Sequence, residues 1–122
     1  MKMKYSIDEA TPREYLPSVE QATQLLERAI GEPAARTEAR WEFATDSASR
    51  PGFNLEVRDH NYGGKHTRFF AMDELKPTAN LRLHFHFLWG DVLQDSSNIQ
   101  HEKVEASLRQ FFNEVENGQD EH

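Results

Sequence analysis

The sequence predicts an α+β fold, in which two helices flank a four-stranded antiparallel sheet in a two-layer sandwich with one sheet face uncovered by helices. Three observations carry that prediction. Apolar residues follow helical spacing near both ends of the chain, and they alternate at period two through the middle. The segments linking the alternating runs are too short for helical crossovers, so neighbouring strands should pair antiparallel. Two amphipathic helices can cover one face of such a sheet, and no further helix is available for the other.

The elements follow in chain order. Thr11-Pro12-Arg13-Glu14 has the form of a capping box with proline at the first helical position, which predicts one helical turn. Pro17 interrupts it, and Ser18 with Gln21 offers a second start. Val19, Ala22, Leu26, Ala29 and Ile30 then share one helical face, which predicts a helix over 18–30. Gly31 suits a helix end and Pro33 prevents resumption.

Trp41, Phe43 and Thr45 alternate with Arg40, Glu42 and Ala44, and predict the first strand. Residues 46–52 form a loop by composition. Phe53, Leu55 and Val57 alternate with Asn54, Glu56 and Arg58 in the second strand, Asn61-Tyr62-Gly63-Gly64 suits a tight hairpin, and Lys65 to Met72 form the third. Lys76 to Asn80 close that region as a loop. The fourth strand is expected at 81–89, where Leu81, Leu83, Phe85, Phe87 and Trp89 alternate with Arg82, His84, His86 and Leu88. A final helix starts at Ser97, buries Val104, Leu108, Phe111 and Val115, and stops at Gly118.

A hairpin loop at 61–64 sets His60 opposite Lys65, Arg58 opposite Thr67 and Glu56 opposite Phe69. Pairing Met72 with Leu81 then sets Phe69 opposite His84 and Thr67 opposite His86. Both registers send Leu55, Val57, Phe70, Leu83 and Phe85 to the core, and a one-residue slip would turn every side chain over. The uncovered face then holds Glu56, Arg58, Phe69, Arg82, His84, His86 and Leu88, with Arg40 and Glu42 extending it. An ordinary solvated sheet face carries Arg, Glu and Lys, but Phe69 and Leu88 gain nothing there from water. A mixed polar and aromatic patch suits a protein contact, often a two-fold one.

Two strand histidines two residues apart project the same way, about 7 Å apart. Glu56, the one carboxylate nearby, lies two strands off at about 9.6 Å, so no zinc site is expected. Arg82 or Arg58 with the histidines suits a carboxylate or phosphate instead. Asp59 opposite His66 reads as a structural pair.

The chain has 122 residues, which suits one domain over 1–122 with frayed ends at 1–10 and 118–122. It contains no cysteine, which excludes disulfides, thiolate metal sites and a cysteine nucleophile. The formal charge of -7 is uneven: residues 1–38 carry -2, residues 39–90 carry +1 and residues 91–122 carry -6. Nothing resembles a continuous basic stripe, so nucleic acid and anionic lipid are not expected partners. No apolar run is long enough to span a membrane, no apolar segment follows the first lysines, and a cytoplasmic location is expected. No hydrolase, zincin, kinase or phosphate-loop signature occurs.

These observations together indicate a small acidic interaction module without cofactor or metal. It is expected to form a homodimer, or to bind a basic protein, through the open sheet face. The alternative is an anionic-ligand protein or hydrolase with a His/Arg site on the same face.

Overall fold

The computed structural model describes residues 3–120, with side chains through 115. It is α+β: a four-stranded mixed sheet with two helices, open on one side. Strand β1 (Lys4–Ile7) lies in the stretch expected to be frayed. Met3, Tyr5 and Ile7 alternate with Lys4 and Ser6, and Met3 is buried in the core. After a 3-10 turn at Arg13–Tyr15, helix α1 runs over Leu16–Ile30 and buries Val19, Ala22, Thr23, Leu26 and Ile30. It begins ahead of Ser18 because a proline in the first turn lacks only an N–H that has no intrahelical partner there. Gly31 ends it at φ 80°, its N–H donating to the Glu27 carbonyl at 2.9 Å.

Strands β2 (Thr37–Thr45), β3 (Pro51–Asp59) and β4 (Lys65–Ala71) follow, and the sheet order is β1-β2-β3-β4. β2, β3 and β4 pair antiparallel, whereas β1 pairs parallel with β2, so the sheet is not strictly antiparallel. The cause is the helix between them. A strand, a crossover helix and a second strand return the chain in the same direction. The β3–β4 register is two residues from the expected one, with Arg58 opposite Lys65, Glu56 opposite Thr67 and Asn54 opposite Phe69. An even slip keeps every side chain on its face.

Residues 81–89 are not a strand. They belong to helix α2 (Ala79–Asp120), which also runs through Gly118, where a stop was expected. Thr78 Oγ1 accepts the Leu81 N–H at 3.3 Å, as a helix-capping side chain does. Leu81, Phe85, Leu88 and Val92 step by four, three and four and are buried, whereas Leu83 and Phe87 face solvent. The apolar run fits periods of two and 3.6, and the core takes the second. Of the expected tail, residues 121–122 lie outside the described residues.

The core lies between the helices and one face of the sheet, with Trp41, Phe53, Leu55 and Val57 packed against Leu26, Phe85 and Leu88. Trp41 meets Phe53 edge to face at 5.9 Å, and Phe70 meets Phe85 at 5.4 Å. The end of the β3–β4 hairpin is tied to α2 through buried polar groups. Ser96 Oγ donates to Asp59 Oδ2 at 3.0 Å and accepts the Gly64 N–H at 3.1 Å.

Candidate functional site

Alternation along each strand and the register between strands build the open face in rows. Lys4, Glu38, Arg58 and Lys65 form the first, and Ser6, Arg40, Glu56 and Thr67 the second. Glu42, Asn54 and Phe69 form the third. Opposite charges therefore neighbour each other at Lys4–Glu38, Glu38–Arg58 and Arg40–Glu56, pairings that stabilise adjacent strands, whereas Arg58 and Lys65 set like charges side by side. Arg58 Nη2 stands 3.5 Å from Glu56 Oε1, and His60 Nε2 stands 2.9 Å from Glu38 Oε2 at the edge of the first row. A Cβ at Gly52 would meet the tip of the Phe69 ring at 2.6 Å. The ring thus lies across backbone that only glycine leaves open, with its remaining surface turned outward.

Of the seven residues assigned to this face from sequence, Glu56, Arg58 and Phe69 occupy it. Arg82, His84, His86 and Leu88 lie on α2, across the sheet from them, because 81–89 is helical. Leu88 is fully buried and belongs to the core. His84 is half-buried, its ring 6.5 Å from Phe87, and its Nδ1 has no hydrogen-bond partner. Arg82 is exposed. His84 and His86 project from different sides of the helix, so neither a shared metal nor a shared anion follows. Among the described residues no three His, Asp or Glu side chains converge as metal ligands would.

His86 contributes to a different feature. His66 and Arg68 lie on the core-side face of β4 but at the sheet's edge, where α2 passes beside them. Together with His86, Phe87, Gly90 and Asp91 they line an open groove of about 600 Å³. His66 Nε2 is 3.5 Å from Asp91 Oδ2, and the Arg68 guanidinium lies 5.9 Å from the Phe70 ring centre. The expected Asp59–His66 pair is absent, since Asp59 turns to Ser96 and His66 to Asp91. Sequence reasoning passed over this groove, although His66 and Arg68 at core-side positions of an apolar strand were a usable sign. Charged groups there mean that the helix layer does not cover that end.

A further carboxylate is held by several hydrogen bonds away from both features. In the β2–β3 turn, Asp46 accepts the Arg50 backbone N–H at 2.9 Å and its Nε–H at 2.7 Å. The Arg50 backbone hydrogen bond, followed by its side chain, lowers the Asp46 carboxyl below its ordinary range. The role of this pair is to close the turn, with Ser49 held at φ 61°.

The chain matches no protein-family model, no curated protein and no solved structure. Among the described residues no helix is long and apolar enough to cross a membrane.

Proposed function

We propose that this protein is a non-catalytic interaction module whose open sheet face docks a protein partner around Glu56, Arg58 and Phe69. The observation that carries the reading is the outward surface of Phe69 at one end of a charged sheet face without helical cover. Lys4, Arg40, Arg58 and Lys65 stand there among Glu38, Glu42 and Glu56. Alternating signs match neither a phosphate backbone nor a lipid surface, both of which call for one sign. They suit a protein surface of mixed charge with an apolar spot for the Phe69 ring. The basic partner expected from overall charge fits this face less well, because the acidic excess falls in residues 91–122, which are no part of it.

A photo-crosslinking residue at Thr67, in the centre of the face, tests the proposal in the host cell, with Glu20 on α1 as an exposed control. One discrete adduct at Thr67 that disappears with Phe69→Glu, and is absent at Glu20, is the expected result. Equal labelling at both positions, or an adduct indifferent to Phe69→Glu, refutes it.

A further inference from the structure

Helix α2 carries two faces of different character. Leu81, Phe85, Leu88, Val92 and Ser96 are buried against the body. From Gln100 to Val115 every residue is exposed, so the helix continues past the body with nothing packed on it. That extension nonetheless bears Val104, Leu108, Phe111, Phe112 and Val115. A helix of this length gains most of its stability from packing such a stripe, and hardly any from intrinsic propensity.

The stripe does not begin at Val104. Leu83, Gly90, Ser97, Val104 and Phe111 stand seven residues apart, and all are exposed. Phe87, Gln94, His101, Leu108 and Val115 form a second exposed series, offset by four. These are the two core positions of a heptad repeat, running along the side of α2 that faces away from the sheet. The repeat is apolar at both ends and polar or small in its middle.

We infer that two copies of this chain associate through this side of α2, with the helices antiparallel and the far end of each lying on the body of the other. Three observations select that occupant. The first is the pairing of the layers. Antiparallel alignment centred near Ile99 sets Phe87 against Phe111, Leu83 against Val115 and Leu108 over Gly90, with Ser97 beside His101 at the middle. A Cβ at Gly90 would meet nothing within 4 Å, so its surface is open for a large side chain.

The second is charge. Residues 110–122 hold four acidic side chains and no basic one, and antiparallel pairing brings that end beside the groove lined by His66, Arg68 and His86 together with Asp91, with Glu114 next to His86. Parallel pairing would instead set the two acidic ends against each other, and Gly90 against Gly90. The third is area. Residues 83–115 form a strip roughly 50 Å long and 10 Å wide, giving a two-chain footprint on the order of 1,000 Å², the size a specific contact needs. The extension alone, paired with another extension, falls short of it. The bodies sit on opposite outer sides of the helix pair and do not meet.

Sedimentation equilibrium of the full chain tests the association, and the absence of native cysteine allows its direction to be read. Near 20 µM the expected mass is twice 14.2 kDa, and Leu108→Glu should return it to 14.2 kDa with the unfolding transition of the body retained. Should Leu108→Glu fail to fold, Val104→Glu on the same stripe replaces it. Mixed Gln94→Cys and Val104→Cys chains should form the crossed disulfide on mild oxidation, and neither should link efficiently to itself. A wild-type mass of 14.2 kDa overturns the inference, as does a dimer unaffected by both glutamate variants. Self-linking of Val104→Cys in preference to the crossed product overturns the antiparallel arrangement. Phe69→Glu should leave the mass unchanged, so this association and docking on the sheet face fail independently.

Discussion

Asp59, Gly64 and Ser96 join the hairpin end to α2 over a long span of sequence, and each has little room for change. The Ser96 hydroxyl both donates to Asp59 and accepts from the Gly64 N–H, and Asp59 Oδ1 accepts the Asn61 N–H at 2.9 Å. Ser96→Ala leaves a buried carboxylate oxygen without its donor, and an unmade buried hydrogen bond costs about 1–3 kcal/mol. Gly64→Ala places a Cβ against Ser96 Oγ and the Ser96 and Val92 backbone, and backbone yields less readily than a side-chain tip. Urea unfolding should therefore show a loss of about 1–3 kcal/mol for Ser96→Ala and at least as much for Gly64→Ala. Losses within about 0.5 kcal/mol, the range of ordinary surface changes, would mean the hairpin end is not anchored there.

At the scale of the element, α2 combines a segment packed on the body with one that nothing covers among the described residues. Up to Ser96 its apolar stripe is covered by β3, β4 and α1; beyond Gln100 it is not. Amide exchange should register that difference, since opening energies follow local packing. At low micromolar concentration, amides of 101–115 are expected to exchange orders of magnitude faster than those of 84–92. Raising the concentration a hundredfold should slow the first group and leave the second unchanged. Protection of 101–115 that ignores concentration would show that the extension is stable by itself.

At the scale of the whole molecule, the proposed pairing of two copies draws on the uneven charge. In that pairing an acidic helix end would be attracted to the groove of His66, Arg68 and His86, less the repulsion of Asp91, over a distance comparable to the screening length, about 10 Å at 0.1 M salt and 3 Å at 1 M. The dissociation constant read by sedimentation should rise several-fold between 0.05 and 0.5 M sodium chloride, because exposed charges supply part of the contact and apolar side chains the rest. A constant that falls with salt would assign the contact to apolar burial alone.

Much of this molecule was legible in the sequence, because short-range pattern settles short-range structure. Period-two alternation located β2 and β3, and the hairpin at Asn61–Gly64 placed β4 after them. Helical spacing and Gly31 located α1, and side-chain parity put Glu56, Arg58 and Phe69 on the uncovered face. Two things were decided only in three dimensions. Leu81-Arg82-Leu83-His84-Phe85-His86-Phe87 satisfies strand and helix patterns alike, and the body chose the helix by burying Leu81, Phe85 and Leu88 together. The segment contains no β-branched residue, a sign against a strand that the alternation outweighed. The fourth place in the sheet went to Lys4–Ile7, a run too short to announce itself, through a parallel pairing that only the return of α1 makes possible. With that exchange, Arg82, His84, His86 and Leu88 left the open face. Alternation fixes which side of a strand a residue occupies once the strand exists, but whether an apolar run becomes strand or helix depends on which neighbours can bury it.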